Sequence, residues 1–165
     1  MSETVQKRGP YRGGCQCGAV RFSIDGPLGK AGICHCRMCQ KAFGSFGAPL
    51  VDVPRTQLTW TRGEPAVFRS SAIVARGFCR NCGTPLFMLE DGWPIYEIAI
   101  GTLDDPSACA PDHVVGVESK LSWADSLPTL PGHGTAEDRT PEDLARLATR
   151  QHPDHDTEQW PPAGG

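Results

Sequence analysis

Seven of the eight cysteines in this chain stand in three short clusters: Cys15 and Cys17; Cys34, Cys36 and Cys39; Cys79 and Cys82. Gaps of one or two residues are those of metal ligands. Zinc takes four soft donors at tetrahedral corners, with Zn–S near 2.3 Å. A Cys-x-x-Cys turn aims two sulfurs at one point, and the glycine that follows, Gly83, permits the tight backbone turn. Two such turns from distant parts of a chain close one site, so the metal dictates which segments meet. The central cluster already holds three sulfurs in one short loop and forms a tripod. The two pairs are then left for each other: Cys15, Cys17, Cys79 and Cys82 make a closed structural site. The tripod of Cys34, Cys36 and Cys39 keeps a fourth position open, as catalytic or ligand-binding zinc does. Water, a substrate thiol or Cys109 are the candidates to fill it. Three other readings stay open: disulfides of a secreted domain, a single zinc with the remaining thiols free, and two purely structural zincs.

At 165 residues the chain is expected to form one domain with a tail, long enough to bury a core without disulfides. No run approaches the ~20 apolar residues that span a membrane. Residues 1–10 are polar and lack the apolar stretch of a secretory signal. A cytoplasmic location is therefore expected, and in a reducing compartment clustered cysteines favour metal. The formal charge is -3 with no basic run, which argues against a nucleic-acid partner. With 19 Gly and 15 Pro, many turns and short strands are expected.

Residues 1–12 read as a flexible arm. Residues 19–24 alternate, with Val20, Phe22 and Ile24 on one face, and predict a half-buried strand. Further strands are expected at 48–53, 57–61, 66–69, 73–78, 85–89, 94–100 and 113–117. Residues 40–43 complete a helical turn that Gly44 stops. From Pro128 the composition turns to Pro, Gly, Asp and Glu. One helix is readable there, near 141–150: Thr140 as N-cap, Pro141 as first helical residue, Asp143 as the reciprocal carboxylate of a capping box. Leu144 and Leu147 would share its face. Residues 151–165 are expected to be disordered or draped on the surface.

Other residues weigh less. His35 lies between two ligands; a backbone-bonded or solvent-facing imidazole competes with one facing the metal pocket. Arg37 beside the tripod is a candidate to hold a substrate carboxylate, and equally a surface charge. Trp123 is a candidate cleft residue, whereas Trp60 and Trp93 read as sheet-packing. His113 is a candidate pocket residue but reads first as a strand-end surface residue, and His152 and His155 read as solvated. No phosphate loop, Ser-His-Asp arrangement or paired-carboxylate motif stands out.

Three motifs then occur in order: Gly13-Gly14-Cys15-x-Cys17-Gly18-Ala19-Val20-Arg21-Phe22, Cys34-His35-Cys36-Arg37-x-Cys39-Gln40-Lys41-Ala42 and Arg76-Gly77-Phe78-Cys79-x-x-Cys82-Gly83-Thr84-Pro85-Leu86. Asp112-His113 and Ser119-Lys120-Leu121-Ser122-Trp123 follow. Together they resemble the glutathione-dependent formaldehyde-activating enzyme family, which includes centromere protein V, over about residues 13–131. The resemblance implies a mainly β fold, a zinc-stabilised β-tent of short antiparallel sheets, here with residues 132–165 as a C-terminal extension. It implies zinc at both sites, structural at Cys15, Cys17, Cys79 and Cys82, catalytic at Cys34, Cys36 and Cys39. It implies a carbon–sulfur lyase run in reverse, joining glutathione, or a similar small thiol, to formaldehyde or another aldehyde. No dedicated glutathione-binding motif is matched. The rival reading is a non-catalytic, zinc-stabilised protein-interaction module, which the centromere branch permits.

Overall fold

The computed structural model describes residues 9–161. Residues 1–8 of the arm expected at 1–12, and 162–165 at the end of the tail, lie outside it. Among the described residues ten strands form two sheets. β1 (Tyr11–Gly14), β2 (Arg21–Ile24) and β5 (Leu58–Arg62) make an antiparallel three-stranded sheet in the order β1-β2-β5. β3 (Ala31–Cys34), β4 (Ala48–Pro54), β6 (Ala66–Arg69), β7 (Val74–Phe78), β8 (Pro85–Glu90), β9 (Ile95–Ala99) and β10 (His113–Val115) make the second, ordered β10-β3-β4-β9-β8-β7-β6. The protein is mainly β, as its turn-rich composition predicts. One pair departs from the antiparallel expectation: β10 runs parallel to β3, because the chain returns to that edge by a long excursion and not by a hairpin.

Strand parity decides what the larger sheet does. Successive side chains alternate between faces, and the registers Asp52↔Glu97 and Val51↔Ile98 align the alternation across strands. One face carries Ala31, Val51, Val53, Phe87 and Ile98, which pack with Phe22, Ile24 and Leu103 from the smaller sheet and its surroundings into the main core. Trp60 joins them, edge-on to Phe22 and Tyr96. The opposite face carries Cys34, Ala48, Leu50, Asp52, Arg76, Met88 and Glu97 by the same registers. Cys39, Ala48 and Leu50 form a second, smaller apolar cluster there, with Cys34, Cys36, Phe43 and Met88 against it.

Among the described residues two short α-helices accompany the sheets, with 3-10 turns between and after the strands. α1 (Arg37–Phe43) begins a turn earlier than the sequence suggests, because the Cys36 sulfur caps it by accepting from the Cys39 N–H. Gly44 ends it in the left-handed conformation. α2 (Pro141–Arg146) has the full capping box between Thr140 and Asp143 but stops near Arg146, short of residue 150. Its Leu144 and Leu147 are exposed, so nothing tertiary prolongs it.

Two elements were not anticipated. Tyr11 and Arg12 belong to β1 and pair with Ile24 and Ser23, so the ordered sheet begins inside the segment read as an arm. β3, with only Ala31, Gly32, Ile33 and Cys34, has no readable alternation; it is a strand because β4 and β10 hydrogen-bond it from both sides.

Residues 151–161 lie across the smaller sheet. Arg21, 3 % exposed, donates to both oxygens of Asp104 at 2.7 and 2.6 Å and to Asp156 at 3.1 and 2.9 Å. Arg12 adds a bond to Asp156 at 2.8 Å. The expectation that His152 is solvated is corrected: it is 5 % exposed, seated on Gly18, with Nδ1 toward the Pro153 carbonyl and Nε2 toward Thr157. Gly18 is required there, since its φ is +80° and a Cβ would stand 2.2 Å from the imidazole. His155 is exposed as expected.

Candidate metal centres and the adjoining cleft

The first site is built where β1 and β7 run out. Cys15 and Cys17 sit on the turn after β1, Cys79 and Cys82 on the turn after β7, and their four sulfurs all lie within 4.8 Å of one another. Sulfurs at ~2.3 Å from a common centre and at tetrahedral angles stand about 3.8 Å apart. Cys15 to Cys17 measures 3.6 Å and Cys17 to Cys79 3.8 Å, so the donor set fits a tetrahedral thiophilic ion. These spacings are far too long for disulfides, and none of the eight cysteines is in one. The Val20 amide donates to Cys15 Sγ and the Thr84 hydroxyl meets Cys82 Sγ at 3.1 Å. Burial pushes the Cys82 thiol up, but the bonds from Thr84 and Cys17 outweigh it and leave it at about 6. Burial pushes Cys17 up to about 12 and raises Cys79 as well. The C-terminal segment covers this site: the His152 amide donates to the Gln16 carbonyl, and the Trp160 indole to that of Cys17 at 2.6 Å.

The second site is the Cys34, Cys36 and Cys39 group, also with all sulfurs within 4.8 Å. Cys34 ends β3, Cys36 caps α1 and Cys39 lies in its first turn. The hydrogen bond between Cys34 and Cys39 is the main reason the Cys39 thiol falls to about 5, against burial and with help from Arg76; the same bond, with burial, drives Cys34 upward. Arg76 Nη2 donates to Cys39 Sγ at 3.5 Å while its Nε donates to Ser70 Oγ. Behind the tripod, Gly116 has φ +66°, and a Cβ there would lie 2.6 Å from the Cys36 nitrogen. Gln40, buried, ties the loop down by donating to the carbonyls of His35 and Ser119 at 2.6 and 2.8 Å.

Cys34 opens onto a cleft of about 240 Å³ whose wall includes Lys30, Asp52, Glu90, Trp93, Glu97 and His113. Burial raises the Glu97 carboxyl to about 7, assisted by the charges of Asp52 and Cys39. Burial also raises Asp52, with His113 and Lys30 opposing. These acids had a sequence signal: each interrupts an otherwise apolar strand, Leu-Val-Asp-Val and Ile-Tyr-Glu-Ile. Arg76 and Gln40 had none beyond their motifs.

The residues proposed from sequence divide. His113 reaches the cleft, as does Trp93, which is exposed and not sheet-packing. His35 is buried and backbone-bonded, with Nδ1 3.2 Å from the Phe46 carbonyl. Arg37 is exposed, bonded to Gln40 and absent from the cleft wall. Trp123 is 51 % exposed and packs edge-on against Phe46 instead of lining the cleft. Cys109 is buried in the main core, outside both sulfur groups.

The sequence profile of the glutathione-dependent formaldehyde-activating enzyme family matches residues 10–119, a stretch that contains all seven clustered cysteines. The chain belongs to this family. Its fold is similar to the crystal structure of a Rhodobacter sphaeroides protein solved by structural genomics, at 22 % identity and a TM-score of 0.52 over 63 % of this chain and 99 % of that one. Among the described residues no helix is long and apolar enough to cross a membrane.

Proposed function

We propose that this member of the family is a zinc enzyme that adds a thiol, glutathione or a similar small one, to formaldehyde or another small aldehyde. On this reading Cys15, Cys17, Cys79 and Cys82 hold a structural zinc, and Cys34, Cys36 and Cys39 hold the zinc at which the reaction occurs. The supporting observation is the contrast between the two sulfur groups: four ligands under a covering segment at one, three ligands beside an open cleft at the other. A zinc ion bound by the three cysteines would lower the pKa of a fourth, exogenous thiol and keep it as a nucleophilic thiolate.

The protein's own groups do the rest. Arg76 offsets the charge of the thiolates by its bond to Cys39. Gln40 and the close approach of Gly116 hold the loop that sets the tripod. Glu97 and Asp52 on the cleft wall are placed to take the thiol proton and return it to the carbonyl oxygen. Overall a C–S bond forms, the C=O double bond becomes single, and the thiol proton ends on oxygen.

The test is NMR of glutathione, and then of a panel of thiols, with formaldehyde and zinc-loaded protein. Adduct formation faster than the spontaneous reaction is expected. No acceleration with any of the thiols sinks the proposal. The rival reading, a protein-interaction module, draws on the exposed Val114, Val115 and Val117 beside the same loop; it predicts full metal content with no thiol chemistry.

A further inference from the structure

We infer that the cleft beside Cys34 selects a small thiol carrying a positive charge over an anionic one. The inference rests on the reading that an exogenous thiol binds the metal held by Cys34, Cys36 and Cys39. Three observations carry it.

The first is the charge of the wall. Asp52, Glu90 and Glu97 line the cleft against Lys30 and His113. His113 is already engaged, its Nδ1 2.7 Å from Asp112. Lys30 acts on Asp52 by charge alone, without a salt bridge, and Arg76, outside the wall, is turned to Cys39. A zinc with three thiolates adds a further net negative charge. The second is placement. Asp52 and Glu97 stand directly opposite each other on β4 and β9 and point to the same face. Like charges so placed destabilise a sheet; among the described residues neither carboxylate forms a salt bridge, and Lys30 and His113 act on Asp52 only at longer range. A cationic group on the ligand supplies that relief. The third is size. About 240 Å³ is below the ~300–1,000 Å³ of pockets that enclose drug-sized ligands, so a short thiol fits inside and a tripeptide such as glutathione would not be wholly enclosed.

The test separates charge from thiol binding. Cobalt(II) replaces zinc, and the sulfur-to-cobalt charge-transfer band reports each added thiol without any aldehyde. The probes are thiocholine, 2-mercaptoethanol and 2-mercaptoethanesulfonate, which share a two-carbon spacing and differ in fixed charge. After correction for each thiol's own acidity, thiocholine should bind roughly tenfold more tightly than the sulfonate. The ratio should shrink with added salt and several-fold in Glu90→Gln, a wall residue outside the proton transfer, with mercaptoethanol affinity unchanged in both. If all three bind alike, or the sulfonate binds best, the charge preference is wrong while thiol binding stands. If no thiol alters the cobalt spectrum, the proposed function itself fails and this inference falls with it.

Discussion

Replacing Asp104 by Asn should cost the fold far more than replacing Asp156 by Asn, although both carboxylates meet the same arginine. Arg21 Nη2 is 2.6 Å from Asp104 and 2.9 Å from Asp156; the side-chain exposures are 4 % for Arg21, 16 % for Asp104 and 37 % for Asp156. Removing one partner of a buried pair leaves an uncompensated charge and costs ~3–5 kcal/mol. Asp156 still offers partial compensation in the Asp104 variant, so the low end, about 3 kcal/mol, is expected. Asp156 is more than a third exposed and screened by solvent, and Arg21 keeps the more buried Asp104 without it, so about 1 kcal/mol is expected. Urea unfolding followed by circular dichroism at fixed free zinc reads the difference. With a slope of ~1.5 kcal/mol per molar, the midpoint should fall by about 2 M for Asp104→Asn and by under ~1 M for Asp156→Asn. Equal losses, or a larger loss at Asp156, would refute the assignment of Asp104 as the principal partner of a buried charge. The acid limb adds a sign. Burial raises the Asp156 carboxyl, but its bonds to Arg21 and Arg12 outweigh this and hold it below the usual carboxylate range. Its contribution is therefore fully present above ~3.9, the unfolded value, and lost as pH falls through the lower folded value. The wild type and Asp156→Asn should converge in stability there.

Two further outcomes follow from the metal sites. Cys82→Ser should abolish cooperative folding or lower the melting temperature by tens of degrees, because the four-sulfur site joins the ends of two sheets and structural zinc can contribute on the order of 10 kcal/mol; Cys39→Ser should lose one bound metal per chain by elemental analysis while far-UV dichroism is retained, and equal structural loss in both variants would contradict the division. Gly116→Ala should weaken the three-cysteine site, since φ of +66° and a 2.6 Å approach to the Cys36 nitrogen cannot both be met; a cost of ~1–3 kcal/mol is expected, and an unchanged competitive metal titration would count against it.

The cysteine grouping was readable in the chain because metal-ligand spacing is local: two sulfurs within one turn share a target wherever that turn ends up. The strand around Phe22 was readable because its alternation follows from the pleat itself, and those around Val51 and Ile98 because turn residues set off short, mostly apolar runs. The capping box at Thr140 was readable for the same local reason. β3 was not, because a four-residue strand with a glycine has no periodicity of its own and takes its conformation from β4 and β10. His152, Asp156 and Trp160 were not, because a polar tail has no signal for docking; their partners, Gly18, Arg21 and Cys17, lie more than a hundred residues earlier.

The three-cysteine corner that opens the sequence reading thus has a clear division of causes. Residue type and spacing alone placed Cys34, Cys36 and Cys39 in one short loop, where three sulfurs cannot close a tetrahedron, so a metal held by them would keep one position for something else. What that position faces was decided only by the tertiary structure. Strand register put Asp52, Glu97 and Cys34 on the same face of one sheet, and a one-residue slip in any strand would have sent its residue into the opposite core.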